Sequence, residues 1–244
     1  MVRMEESAER SGEWFVPRRG PLKVRIFIGL LFLPYTAMVL SFALIGSMLA
    51  ETVHWDRVLA TLIVYFLGLG IAAHAIDALG SRRIKPWGRH FSRLQLWSLA
   101  GASLVLAYGI AAYYMIRYVP LLWVVAALEG FFVFAYNLEW FDGRFHTDAS
   151  FVFSWGMLPV IAGYMMQTNS VSVAALVTAA AMGLLSYIEI TASRPYKELK
   201  RMERGAGGVP DDTTADLMAR YERILKSVSS GVILLAVGMA IHRW

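Results

Sequence analysis

The sequence predicts an all-α, polytopic integral membrane protein: a helical bundle of about seven spanning helices with a cytoplasmic N-terminus. Three observations predict it. Of the 244 residues, 57% are hydrophobic and only 17% charged, whereas soluble domains carry roughly 25% charged residues. Uncharged runs recur at the length, about 20 residues, that a helix needs to cross a bilayer. Twenty of the 23 lysines and arginines fall on one side of the helices so defined, leaving only Arg57, Arg117 and Arg243 on the other. That is the positive-inside pattern.

Residues 1–25 are polar and charged and read as a cytoplasmic N-terminal segment, with 26–244 forming one membrane domain. The first span, 26–50, is longer than a signal peptide's apolar stretch. No small-residue cleavage site closes it, so it reads as a retained helix. Spans follow at 58–79, 94–116 and 118–138, the last interrupted by Glu129, which calls for an interhelical hydrogen bond. The apolar run from Ala149 to Ile188 is too long for one helix. Its polar break, Gln167-Thr168-Asn169-Ser170, divides it into 149–166 and 171–192. The final span, 224–242, is short and is extended by a snorkelling Lys226. Before it, Asp212 or Thr213 can cap an amphipathic helix through Leu225, either interfacial or a lead-in to the span.

The net charge of +5 reports topology and contact with anionic lipid headgroups, and gives no reason to invoke nucleic acid. The lack of cysteine excludes disulfides, thiolate nucleophiles and cysteine metal sites. Five scattered histidines do not make a clustered-histidine di-iron site or a His-x-x-x-His zinc site. No Gly-x-x-x-x-Gly-Lys phosphate loop is present. The expected location is the cell membrane.

The longer connections, Gly80–Arg93, Glu139–Asp148 and Ser193–Lys226, lie on the cytoplasmic side and mark it as the working face. Polar groups gather there at three helix ends. His74, Asp77 and Ser81 share one face by i, i+3, i+7 spacing and precede Arg82, Arg83 and Lys85. Tyr136 and Asn137 end the fourth span, with Glu139, Asp142, His146 and Asp148 beyond. Tyr187, Glu189, Thr191 and Ser193 end the sixth, followed by Arg194 and Lys197. Acids beside cations suit a metal–phosphate arrangement, because Mg²⁺ binds through one or two carboxylates plus phosphate oxygens and Arg or Lys neutralises the remaining charge. Walls of Phe, Trp, Tyr and Met suit an apolar tail. A lipid with a diphosphate head matches both.

This arrangement resembles the UbiA-type intramembrane prenyltransferase superfamily. Members carry an Asn-Asp-x-x-Asp-x-x-x-Asp motif at the end of helix two, an Arg/Lys-Pro loop after it, and a second Asp-rich motif at the end of helix six. Here His74, Asp77 and Ser81 fall at the three aspartate positions of the first motif. Lys85-Pro86 is similar to the loop. Ala135-Tyr136-Asn137 resembles the end of the fourth helix, and Trp155 to Tyr164 the fifth. Glu189 and Ser193 stand at the second motif. The family usually has nine helices, against seven here.

The resemblance implies transfer of a prenyl group from a polyprenyl diphosphate to a lipid-soluble or aromatic acceptor. Asp77 and Glu189 would be Mg²⁺ ligands, with His74 in support. Arg82, Arg83, Lys85, Arg194 and Lys197 would contact diphosphate, and Tyr136 and Asn137 would line the pocket. The reduced acid count leaves a second reading, a catalytically inactive relative that binds an isoprenoid lipid or a partner protein. A transporter is a third, resting on Glu129.

Overall fold

The structure is a computed structural model that describes residues 13–80, 90–206 and 211–244. Its described residues form helices and connecting turns without strands. Seven helical segments follow one another: α1 (Leu22–Met48), α2 (Trp55–Gly80), α3 (Arg93–Arg117), α4 (Leu122–Asn137), α5 (Asp148–Thr168), α6 (Val173–Ala206) and α7 (Asp212–Arg243). All but α4 are long and apolar enough to cross a membrane. The chain is thus an integral, multi-pass helical membrane protein.

The short helix is not the one expected. The seventh runs unbroken from Asp212, so its amphipathic first turns are a lead-in to the span. The fourth is the short one, because Tyr118–Leu121 form a turn around Pro120, whose ring fixes φ and removes a donor. Of the connection 193–226, the helix expected from 212 is present, and residues 193–206, expected as loop, are helical too. α6 continues through Pro195 to Ala206, held by the buried Tyr196 against Leu225 of α7 and Trp14.

Three of the helices are interrupted where they approach one another. α1 breaks at Leu31 and Phe32, and Phe32 adopts a left-handed φ of 44°. Pro34 explains the break, since its ring cannot follow an α-helical turn at residue 30. The Thr36 hydroxyl caps the gap by donating to the Leu31 carbonyl at 2.6 Å. α2 contains a π-helical stretch, Phe66–Ala73, and α5 another, Val152–Met157. Such stretches cluster at functional sites because each extra residue re-aims the side chains that follow.

α1 lies at the centre, against α5 on one side and α7 on the other, while α6 covers α5 and α7, and α3 covers α2. Glycines set the closest approaches. A β-carbon on Gly46 would collide with the Val160 carbonyl, and one on Gly163 with that of Ala43. This is the small-residue packing by which membrane helices associate. The outer faces of α3 and α7 stay apolar and exposed, with Val105, Leu106, Ile116, Leu234 and Ile241 facing outward, as a lipid-facing surface requires.

Loops latch the end of the bundle remote from Asp77. Gln167 Oε1 accepts from the His54 amide at 2.8 Å, and Arg57 donates to the carbonyls of Met166 and Gln167. Asn169 Oδ1 accepts from the Leu121 amide at 2.9 Å, and Arg243 donates to the carbonyls of Ala50 and Glu51. The opposite end, where α2 and α4 finish beside the Ser186–Lys197 stretch of α6, is left hollow.

Candidate functional site

The hollow is a cavity of about 250 Å³ lined by α1, α2, α4, α5 and α6. It gathers His74, Asp77, Tyr136, Asn137, Glu189, Arg194 and Lys197, all singled out from sequence. Each arrives by helical periodicity. His74 and Asp77 open the α-helical turn after the π stretch of α2. Tyr136 and Asn137 are the last residues of α4. Glu189, Ser193 and Lys197 recur every four residues along α6, and Ser186 precedes them on the same face.

His74 is held tightly. Its Nδ1–H donates to the Gly70 carbonyl at 2.9 Å. Its ring stacks on Phe32 at 4.9 Å between centroids and lies 6.0 Å from Trp155. Three elements therefore fix one imidazole: the left-handed turn of α1 and the π stretches of α2 and α5. Asp77 is partly exposed to the cavity, whereas Glu189 is buried at 6% exposure. Lys197 stands near Glu189, with its ammonium 5.4 Å over the Phe32 ring and 5.8 Å over Tyr35. That is within cation–π range.

Tyr136 sits among Asp77, Arg194 and Asp148. Its ring stacks on His146 at 4.4 Å, and His146 Nδ1–H donates to the Tyr136 carbonyl at 3.0 Å. Asn137 Nδ2 donates to the Val133 carbonyl at 2.8 Å. Arg194 is partly committed, since Nη1 lies 2.5 Å from Asp148 Oδ1 at the start of α5.

Other expected groups lie elsewhere. Tyr187 and Thr191 are exposed and turn away from the cavity, and Glu139 and Asp142 sit outside it in a turn where both adopt left-handed φ. Ser81, Arg82, Arg83 and Lys85, with Pro86, lie outside the described residues. The α1 contribution, Phe32, Tyr35 and Thr36, was not anticipated, nor were Phe151 and Trp155 as cavity walls or Ser186. Pro34 within an apolar run was the legible signal for α1, because a broken helix turns its side chains toward a neighbour. Ser186 was legible as one turn before Glu189.

The cavity thus offers two carboxylates, two cations and an aromatic wall. Two carboxylates suffice for Mg²⁺ only when phosphate oxygens complete its shell. Among the described residues, no three histidines or acids converge as a preformed metal site. No protein-family model, curated protein or solved structure matches the chain, so the functional reading rests on this geometry.

Proposed function

We propose that the chain is a UbiA-like intramembrane prenyltransferase of the cell membrane, with seven spans and the cavity mouth on the cytoplasmic side. The carrying observation is the convergence of Asp77, Glu189, Arg194 and Lys197 on one aromatic-walled cavity at the end of the bundle. A prenyl diphosphate meets both needs, its head among the charges and its tail along Phe32, Phe151 and Trp155.

In the proposed reaction the C1–O bond of the prenyl diphosphate breaks and diphosphate leaves with the bonding pair. C1 then joins a lipid-soluble or aromatic acceptor, which loses one proton. Arg194 and Lys197 stabilise the charge that develops on the leaving group. The aromatic wall faces the allylic cation and excludes water. Asp77 and Glu189 would hold Mg²⁺ against the diphosphate oxygens, and the metal would supply further charge neutralisation there.

A specific observation favours a second reading, a non-catalytic isoprenoid-lipid binder. His74, at the position of the family's first aspartate, is locked in a ring stack and a backbone hydrogen bond, a structural role. One experiment separates the two. Protein in nanodiscs is given farnesyl and geranylgeranyl diphosphate with Mg²⁺, and binding and diphosphate release are followed. Metal-dependent binding with release, lost in Asp77→Ala, supports the enzyme. Binding that survives chelation and Asp77→Ala, without release, supports the binder. No binding at all overturns both.

A further inference from the structure

A second cavity, of about 90 Å³, lies between α2, α3 and α4, with Ala162 and Met166 of α5 behind it. Leu69 lines both cavities. Small residues create the space: Gly68, Ala107, Ala111, Ala126 and Gly130. The walls are otherwise apolar, apart from Thr61, Tyr65, Tyr108 and Glu129.

The hydrogen bonds of those four leave one group unsatisfied. The Thr61 hydroxyl donates to the Arg57 carbonyl at 2.7 Å and the Tyr108 hydroxyl to the Ala126 carbonyl at 2.7 Å. The Tyr65 hydroxyl donates to Glu129 Oε1 at 3.0 Å, an interhelical bond of the kind Glu129 calls for. Glu129 Oε2 is buried and has no partner. A polar atom left so in an apolar setting is costly, and a carboxyl group within an apolar membrane bundle is rarely kept without use.

We propose that this cavity is a second binding site, which takes the hydroxyl-bearing end of a neutral, lipid-soluble alcohol or phenol from the bilayer. Access is lateral: Gly68, Glu129 and Gly130 are partly exposed, and Tyr108 stands at the rim, 36% exposed. A hydroxyl group, donor and acceptor at once, can partner Oε2 whether or not that oxygen carries the proton, and the terminal torsion of a glutamate is soft enough to turn the oxygen toward it. An anion would meet a carboxyl group, and a cation would find no second acid in the lining. The apolar walls take the carbon skeleton. The site is independent of the diphosphate reading, because its lining shares only Leu69 with the first cavity and includes neither Asp77 nor Glu189.

The test uses full-length protein in nanodiscs and a photoactivatable octanol carrying a diazirine, beside its methyl ether. Expected is saturable labelling of α2, α3 or α4 by the alcohol, competed by unlabelled octanol and weaker for the ether. Glu129→Leu should lower apparent affinity about tenfold, the loss of one hydrogen bond to a carboxyl group. Gly68→Leu keeps Glu129 intact and fills the cavity, since a β-carbon at Gly68 meets nothing within 4 Å. It should abolish the labelling at unchanged melting temperature, while Asp77→Ala leaves labelling intact. Labelling that does not saturate, that is equal for the ether, or that survives Gly68→Leu overturns the proposal, the cavity then holding only water or acyl chains.

Discussion

Gly80 lies so close to the backbone carbonyl of Asn137 that a β-carbon on it would overlap the oxygen. The last residue of α2 and the last of α4 are thus in backbone contact, and this contact sets the spacing of Asp77 and Tyr136 across the cavity. Gly80→Ala should push the two helix ends apart. The expected cost is about 1–3 kcal/mol, as for other overpacking substitutions, read as a lowered unfolding temperature together with weaker prenyl diphosphate binding. Gly101→Ala is the control, because a β-carbon at Gly101 meets nothing within 4 Å. It should leave both readouts unchanged.

Arg194 has two claims on it. Its guanidinium lies 2.5 Å from Asp148, both side chains being well exposed at 49% and 38%, and an exposed pair of this kind adds only about 0–1 kcal/mol to stability. Asp148→Asn should therefore barely move the melting temperature. It should instead free Arg194 for an anionic ligand and tighten diphosphate binding a few-fold. Arg194→Ala should weaken binding about tenfold, the worth of one charge-assisted contact. Isothermal titration with inorganic diphosphate and with a prenyl diphosphate compares all three proteins. Tighter binding by Arg194→Ala would remove Arg194 from the site.

Much of this site was legible because helical spacing carries far along an uninterrupted helix. Glu189, Ser193 and Lys197 share a face by periodicity alone, and the structure keeps that face on the cavity. Tyr187 and Thr191 were selected by position along the helix rather than around it, and they point outward. What could not be read was the effect of interruption. The π stretches at Phe66–Ala73 and Val152–Met157 leave no mark in hydrophobic periodicity, so Trp155 could not be placed beside His74. Span lengths failed for a similar reason. Apolar composition continues through Tyr118–Leu121, where Pro120 has already ended the helical geometry.

The α1–α5 contact should be the most sensitive packing position in the bundle. Gly46 and Gly163 each meet a carbonyl of the other helix, and the buried Ser47 hydroxyl donates to Gly163 O at 3.2 Å across the same seam. Gly163→Ala is expected to cost about 1–3 kcal/mol. Ser47→Ala removes one hydroxyl proton, shared between Gly163 O and the Ala43 carbonyl of its own helix at 3.0 Å, and should cost about 1 kcal/mol. Thermal unfolding in one detergent ranks the two, and equal effects would show that the backbones can part without penalty.

The start of α7 supplies a pH-dependent prediction outside the membrane. Asp211 is the N-cap residue, its carboxylate accepting from the Thr214 amide at 3.0 Å. The Thr214 side chain first, and then that backbone bond, favour the charged form and hold the Asp211 carboxyl below its ordinary range. The sign follows. A carboxyl group whose folded-state pKa is lowered adds stability above its unfolded-state value, and that stability is lost as pH falls through the folded-state value. The first turn of α7 should therefore fray on acidification below the usual carboxylate range. Asp211→Asn keeps a capping oxygen without the charge and should remove the pH dependence while retaining most of the cap. Asp211→Ala should fray the turn at every pH. Hydrogen exchange at Thr214 and Ala215, corrected for the intrinsic pH dependence of exchange, reads all three. Identical protection in wild type and Asp211→Ala would show that packing alone starts the helix.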